Sequence, residues 1–342
     1  MDNGASAIDH PDPAIVDFVA RSGLVPRDDS PHFERLPGGV SSDIWLVHAG
    51  RTAFCVKQAL PRLRVAAVWR APIERNTKEA AWINTVAGFM PEAVPALLAE
   101  DANAGMFAMN YLPPESFEGW KAQLQRGHVM PATAAEVGGR LARIHSRFAR
   151  SGAAAAEFAT DAIFHAIRLE PYLLATARAH PDRAAALEKL AKTTARTKLT
   201  LVHGDVSPKN ILIGPQGPVF IDAECAWFGD PAFDLAFCLN HLLLKCLWVP
   251  SAASRLLLAF DRLAETYLGD VDWEPREVID RRTAHLLPGL FLARIDGKSP
   301  VEYLTEERDK DTVRHVARSL LANPPRHLPA IRRVWASEIH AV

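Results

Sequence analysis

No stretch of the chain is long and apolar enough to span a bilayer. The longest apolar run, from Leu235 to Leu247, is broken by Asn240, His241 and Lys245, and it falls short of the roughly 20 residues that a span requires. The N-terminal stretch MDNGASAIDHPDPAIVDFVARSG is mixed and polar. It lacks the basic region and apolar core of a secretory signal. An excess of charge of one sign is also missing. The 39 Lys and Arg and 40 Asp and Glu leave a net charge of −1, too little for a field that gathers nucleic acid or an acidic membrane. Cysteine is scarce. The four present, Cys55, Cys225, Cys238 and Cys246, sit in apolar contexts without paired metal-ligand spacing, which reads as free thiols in a reducing compartment. The expectation is a cytoplasmic protein with neither a nucleic-acid nor a membrane partner. There is no internal repeat, and no low-complexity tract beyond the short alanine run at 153–156.

What the chain has is apolar mass: 342 residues, 49% of them hydrophobic, enough for a large core divided between two lobes. The segment PAIVDFVARSG reads as a leading helix ending at Gly23. The runs Ile44–His48 and Ala53–Gln58 are rich in β-branched and aromatic residues and are joined by the short turn AGR, a hairpin signal. A helical stretch over Ala66–Gly88 follows, interrupted near its front by Pro72, with Ile73, Thr77, Ala80, Ala81 and Asn84 at helical spacing. Two further strands, ALLAE and MFAMNYL, flank the turn DANAG. Beyond Pro113–Pro114 the pattern turns helical. Val137, Leu141, Ile144 and Phe148 share one helical face, and AIFHAIRLEPYLLATARAH and RAAALEKLAKTTARTK continue in the same style. From Pro231 onward helices are expected, broken at Pro250, Gly269–Pro275, Pro288 and Pro300. The division expected is an N-terminal lobe over 1–112, made of strands and a helix, and a helical C-terminal lobe over 113–342.

One segment of the second lobe departs from this style. In LVHGDVSPKNILIGPQGPVFIDAE, two short β runs, NILIG and PVFID, are joined by the turn PQG and bracketed by polar groups. Burying such groups costs a few kcal/mol each unless they are satisfied. Asp205, Asn210 and Asp222 fall at the ends of these strands, where loops can hold them in a cleft. Two carboxylates and an amide suit a hard cation such as Mg2+. Phosphoryl transfer needs this set: an Asp to accept a hydroxyl proton, an Asn five residues later and a second Asp to hold metal against phosphates.

HGDVSPKN resembles the catalytic loop of the aminoglycoside phosphotransferase / choline kinase-like family, which has the protein-kinase-like fold. VFIDAE resembles that family's metal-binding segment, and GDPAFDLA its usual sequel. A chance match to His-Gly-Asp with Asn five residues on is on the order of one in a thousand for a chain of this length. The resemblance covers roughly 30–330 and implies an α+β, two-lobe, protein-kinase-like fold with a small β-rich N-lobe and a larger, mostly helical C-lobe. It implies ATP and Mg2+ as cofactors, a nucleotide-binding N-lobe, and a C-lobe carrying the catalytic loop and acceptor site. Asp205 becomes the base, and Asn210 and Asp222 the metal ligands. Lys57, in FCVKQ, becomes the phosphate-binding lysine, and Glu79, in RNTKEAAWI, its helix partner in preference to Glu74. LPGGVSSDIWLV supplies the nucleotide-covering turn through Gly38, Gly39, Ser41 and Ser42, although a plain hairpin turn reads equally well from the residues alone. It has Gly-Gly followed by Ser-Ser where protein kinases have Gly-x-Gly-x-x-Gly. In MNYLP the backbone of Asn110–Leu112 would meet adenine, with Tyr111 and Leu112 as packing residues.

Further residues carry two readings. Glu224 lies two residues after Asp222, so on a continuing strand both side chains face one way. The Asp-x-Glu pair is reminiscent of methylthioribose kinase, where such a glutamate is close to the metal; the alternative is a surface glutamate. His203 is expected to organise the loop, His145 to support it, and Asp234 to brace it through backbone N–H groups. Lys209 would either neutralise the transferred phosphoryl group or be solvated. Arg294 and Asp296 would either end a helix or reach the acceptor.

The expected activity is an ATP-dependent small-molecule kinase acting on a hydroxyl. The alternatives are a catalytically inactive nucleotide-binding scaffold and, less favoured, a protein kinase, since no Ala-Pro-Glu signature follows Asp222. From Pro231 to the end there are 15 acidic and 15 basic residues. That balance points to a neutral or modestly charged polyol or amino alcohol and away from a polycationic acceptor.

Overall fold

The computed structural model describes residues 10–26, 28–37, 42–60 and 72–341. The chain divides into two compact units, Met1–Pro113 and Pro114–Val342.

The first unit begins with α1 (Pro13–Ser22). Asp12 caps it by accepting from the Ala14 N–H at 2.9 Å, Pro13 occupies its first position, and Gly23 ends it at φ 72°. A capping Asp, a first-position Pro and a left-handed Gly are the start and stop features of a helix, and the stop at Gly23 is the one expected from the sequence. A five-stranded antiparallel sheet follows, β1 (His32–Arg35), β2 (Ser42–Ala49), β3 (Thr52–Ala59), β4 (Leu97–Asp101) and β5 (Met106–Asn110), in the order β1-β2-β3-β5-β4. Gly50, at φ 56°, takes the left-handed position in the tight turn between β2 and β3, which pair from Ala49↔Thr52 to Ser42↔Ala59. Alternation divides the sheet's side chains. Trp45, Val47, Phe54, Val56 and Ala108 pack against Ile15, Phe18 and Val19 of α1. The opposite face carries Leu46, Cys55, Lys57 and Phe107, and α2 (Arg75–Ala87) packs on β3, β4 and β5.

The helix expected over Ala66–Gly88 is described only from Arg75; residues 61–71 lie outside the described set. Its buried face is Asn76, Glu79, Ala80, Ile83 and Val86, not the face through Ile73 and Asn84; Ile73 precedes the helix and is exposed. The polar members are bound. Arg75 donates to the carbonyls of Leu60 (2.7 Å) and Pro72 (2.8 Å). Asn76 donates to those of Lys57 (3.1 Å) and Gly105 (2.8 Å), which ties α2 to β3.

The second unit opens with β6 (Glu118–Gly119), α3 (Trp120–Gln125) and α4 (Pro131–Phe148). Short helices α5 (Gly152–Glu157) and α6 (Asp161–Phe164) lead into a π-helical run, His165–Leu174, that contains Pro171, and then into α7 (Ala175–Ala179) and α8 (Ala184–Arg196). β7 (Thr200–Val202), β8 (Ile211–Gly214), β9 (Gly217–Phe220) and β10 (Trp227–Gly229) follow. β8 and β9 form the expected hairpin with β6 on its edge, and β7 pairs with β10. β6, β7 and β10 are two or three residues long, too short for periodicity to reveal. The remainder is helical: α9 (Pro231–Trp248), α10 (Ala253–Gly269), α11 (Arg276–Asp296), α12 (Glu307–Ala322) and α13 (Leu328–Ala341). Pro288 does not break α11, contrary to expectation; it sits inside the helix among buried Leu286, Leu287 and Leu290. Packing on all sides outweighs the lost N–H. Among the described residues, no single helix is long and apolar enough to cross a membrane. The four cysteines are free and buried.

α9 is the axis of this unit. Every residue from Pro231 to Cys246 is buried, and α10 and α11 pack against it. α10 also packs on α4 at Gly138, where an added Cβ would lie well inside contact distance of the Leu263 carbonyl oxygen. Overpacking of this kind costs about 1–3 kcal/mol, and for a unit of this size each kcal/mol is worth roughly 2–4 °C. Gly138→Ala is therefore expected to lower the melting temperature by several degrees in calorimetry. Gly139→Ala, whose Cβ would meet Thr266 Cγ2 at an ordinary 3.4 Å, is expected to be neutral or stabilising. Equal melting temperatures for the two variants would contradict this packing.

Candidate active site

The first unit contributes a buried ion pair. Lys57 Nζ lies 2.6 Å from Glu79 Oε2, with side chains 3% and 1% exposed. β3 and α2 bring the pair together across 22 residues of sequence. Glu74, the rejected alternative, is the residue before α2. Two such charges leave water at a cost of several kcal/mol each, so the pair is weak as a source of stability. Ser42 opens β2, fully buried, with a hydroxyl that finds no partner among the described residues. Gly38, Gly39 and Ser41 lie outside the described residues. Tyr111 and Leu112 follow β5 and are half-buried, and the adjacent Asn110 is fixed by its side-chain oxygen accepting from the Ala96 N–H at 2.6 Å.

The second unit contributes the loop between β7 and β8. It turns at Gly204, at φ 79°, where a Cβ would meet the Cys225 carbonyl oxygen at 2.5 Å and Cβ at 2.7 Å. Only glycine fits there. The first turn of α9 braces the loop: Asp234 accepts the His203 N–H at 2.7 Å on Oδ2 and the Gly204 N–H at 2.8 Å on Oδ1. His145 of α4 stands 3.3 Å from the same Oδ2, with Tyr267 Oη 2.7 Å from its other ring nitrogen. His203 Nδ1 accepts from the Asp205 N–H (3.2 Å), which leaves Nε2 to donate to the Ile221 carbonyl (3.1 Å). Burial pushes the His203 imidazole below its ordinary pKa against the pull of nearby carboxylates. A neutral ring with both nitrogens engaged organises the loop and is no base. The expectations for His203, His145 and Asp234 match this geometry.

Asp205 has an asymmetric environment. Its Oδ2 faces Arg168 Nη2 at 2.9 Å, accepts from Asn210 Nδ2 at 2.8 Å, and lies 3.4 Å from Lys209 Nζ. Its Oδ1 accepts no hydrogen bond from the described residues. Lys209 is about half exposed, at 55%. Asn210 also donates to the Asp205 carbonyl (3.1 Å), so its side-chain nitrogen is committed and its side-chain oxygen turns away. The Ile221 N–H reaches the Asn210 carbonyl at 3.0 Å, which sets Asp222 one residue from Asn210 across the hairpin. Asp222 stands at φ 66°, a left-handed conformation that is uncommon outside glycine but that aspartate tolerates better than most residues. With Asn210 it offers hard oxygen donors that fit Mg2+ held jointly with phosphates. Among the described residues, no group of three or more His, Cys, Asp or Glu is placed to hold a metal ion by itself.

Two points differ from the sequence reading. β9 ends at Phe220, and Glu224 lies in a turn after the left-handed Asp222. The shared strand face that linked Asp222 and Glu224 therefore does not exist, and Glu224 is buried, not a surface residue. Arg168 was missed. It lies on the π-helical run, 5% exposed, donates to the carbonyls of Gly204 and Ile167 at 2.6 Å each, and is the main partner of Asp205. Burial works against its charge, and Asp205 outweighs that only together with its other neighbours, Glu224 among them. Nothing in AIRLEP marks this arginine off from any other on a helix. Asp296 is taken up by Arg314 and His180.

The family model described as the phosphotransferase enzyme family matches residues 32–266. No curated protein matches the sequence. Among solved structures, a choline/ethanolamine kinase family protein from Mesorhizobium loti is similar at 17% identity and TM-score 0.50, with 93% of this chain and 99% of that chain covered. Ethanolamine kinase from Plasmodium vivax is similar at 12% identity and TM-score 0.55, covering 94% and 88%. The amicoumacin kinase hAmiN, in complex with AMP-PNP, Ca2+ and Ami, is similar at 10% identity and TM-score 0.57, covering 93% and 96%. The shared fold is protein-kinase-like.

The Lys57–Glu79 pair yields a stability test. Lys57→Met takes the ammonium away from a buried carboxylate and is expected to destabilise the protein by about 3–5 kcal/mol in urea unfolding. Replacing both residues, by Lys57→Met with Glu79→Leu, should recover much of that loss. A double variant as unstable as the single one would mean that the loss does not come from the carboxylate's missing ammonium.

Proposed function

The chain belongs to the phosphotransferase enzyme family and is a small-molecule phosphotransferase, and we propose that it transfers the γ-phosphoryl group of ATP to a hydroxyl of a small acceptor, with Asp205 as the base. The observation that carries this reading is the division of labour on Asp205. Arg168, Asn210 and Lys209 all gather at Oδ2. That fixes the carboxylate and leaves Oδ1 to take the proton of an incoming hydroxyl. Positioning and electrostatics do most of the work in phosphoryl transfer.

Asn210 and Asp222 would hold Mg2+, which supplies charge neutralisation on the phosphates when bound. Glu224, buried two residues after Asp222, would stand near the ion as the Asp-x-Glu resemblance implies, and it adds negative charge within reach of Arg168. Lys57, oriented by Glu79, binds nucleotide phosphates, and Gly38, Gly39, Ser41 and Ser42 belong to the covering turn. The Asn110–Leu112 backbone serves adenine, with Tyr111 and Leu112 packing beside it. Lys209, half exposed and 3.4 Å from Asp205, offsets charge on the group in flight. Residues 1–112 form the nucleotide-binding lobe and 113–342 carry the catalytic loop and the acceptor site. The buried free thiols support a reducing, cytoplasmic setting.

The roles of the two aspartates separate experimentally. Asp205→Asn is expected to lose about 10²–10⁴-fold in turnover while binding Mg·ATP with near-normal affinity. Asp222→Asn is expected to lose turnover and also to weaken the Mg2+ dependence of nucleotide binding. Calorimetric titration of ATP at several Mg2+ concentrations distinguishes them. Reversal of the two patterns would exchange the roles; wild-type turnover in both variants would remove this loop from the active site.

A further inference from the structure

The polar residues that interrupt α9 are not all explained by catalysis. Asp234 braces the loop. Phe237, His241 and Lys245 then recur at intervals of four on one face, rising about 12 Å along the axis. Lys245 is 1% exposed, and its Nζ makes no hydrogen bond or close ion pair with the described residues. It faces two rings instead, Tyr303 with its centroid at 4.2 Å and Trp248 at 5.1 Å, themselves stacked at 4.5 Å. Burial pushes its pKa down to about 7.

The face joins the loop through packed groups. Arg168, on Asp205, stacks over Phe237 (5.8 Å) and Tyr172 (5.6 Å). Phe237 meets His241 at 5.3 Å, and His241 Nδ1 is 3.4 Å from Tyr303 Oη. Arg294 lies over the same Tyr172 at 5.6 Å, is buried, and has an Nε with no partner. At the far end of α9 three cations, Lys121, Lys245 and Arg294, meet one carboxylate, Glu302, and Lys121 already holds it. Burial lowers the His241 imidazole well below its ordinary value, and Arg294, Lys245, Lys209 and Lys121 push it the same way. A buried cation without a counter-ion is costly. The balanced charge count of the C-terminal part hides this local excess.

We propose that Lys245, flanked by Trp248 and Tyr303 and supported by Arg294, binds an anionic group of the phosphoryl acceptor, so that the acceptor is a hydroxylated carboxylate or phosphate ester and not a cationic amino alcohol. The proposal rests on the kinase reading above. Phe237, which packs against Arg168 beside Asp205, and Lys245 are separated by a rise of about 12 Å along α9, so an acceptor reaching from the loop to Lys245 is an elongated molecule.

The test is a chain-length series of ω-hydroxy acids, with matched ω-hydroxyalkyl phosphates and ω-amino alcohols, assayed for ADP formation and titrated calorimetrically into the enzyme loaded with a non-hydrolysable ATP analogue. Wild type is expected to favour one anionic series over the amino alcohols, and the favoured series identifies the anion. Lys245→Met, which keeps the volume and discards the charge, is expected to raise KM for that series by roughly 30-fold or more, with Mg·ATP affinity retained. Lys245→Arg is expected to keep the preference. Thermal unfolding of Lys245→Met at or above the wild-type temperature shows that the fold survives. Equal or better use of amino alcohols, or a preference unchanged in Lys245→Met, would overturn the inference and leave the kinase reading standing. Mg·ATP binding with neither binding nor turnover of any anionic compound would overturn it as well. Failure of the wild type to bind Mg·ATP would instead remove the kinase reading.

Discussion

The carboxylate of Asp234 is the constraint on which the second unit's chemistry depends. It is wholly buried in the first turn of α9, where an anion is favoured by the helix N-terminus. It accepts two consecutive backbone N–H groups, those of His203 and Gly204. That pair of bonds holds the chain in the left-handed turn at Gly204, which in turn lets the backbone pass Cys225 with no room for a side chain. Asp205 follows directly. The position of the proposed base is thus set by the most buried helix of the unit, with His145 and Tyr267 bracing from the side.

A second support acts on the same loop from the opposite sequence direction. Arg168 holds both the Gly204 carbonyl and the Asp205 carboxylate. It stands on a π-helical run, a geometry that adds a residue to the turn and re-aims what it carries. Gly204 is therefore held by its N–H through Asp234 and by its carbonyl through Arg168. Arg168 also faces two aromatic rings, Tyr172 and Phe237, which connect it to the cationic face of α9. The same helix then serves loop geometry at its N-terminal end and, on our proposal, acceptor recognition at its C-terminal end.

Much of this was legible in the sequence, and for identifiable reasons. The loop and hairpin are local: His203, Asp205, Asn210 and Asp222 lie within 20 residues, and their spacing carries the chemistry. The end of α1 is marked by its terminal glycine, and the β2–β3 turn by Gly50. The partnership of Lys57 with Glu79 followed from the family resemblance, and the sheet and α2 supply the geometry. What stayed hidden was long-range or fine-grained. Arg168 is 37 residues from Asp205 and has no local signature. Pro288 looked like a break because a proline's local cost is visible and its surrounding packing is not. The strand expected through Glu224 stops at Phe220, and the left-handed Asp222 follows where the letters IDAE continue the alternation. Asn240, His241 and Lys245 were noticed only as interruptions of an apolar run; their burial gives them meaning.

Amide hydrogen exchange at His203 and Gly204 in Asp234→Asn tests the brace most directly. An asparagine side chain offers one acceptor oxygen where the carboxylate offers two, so one of the two N–H groups must lose its partner. Hydrogen bonds to charged groups are worth about 1.5–3 kcal/mol. Exchange at one or both amides should therefore accelerate by roughly tenfold or more, with phosphoryl transfer falling alongside and protection in α10 and α11 unchanged. Unaltered exchange at both amides, or full activity with both amides deprotected, would show that the loop does not depend on Asp234.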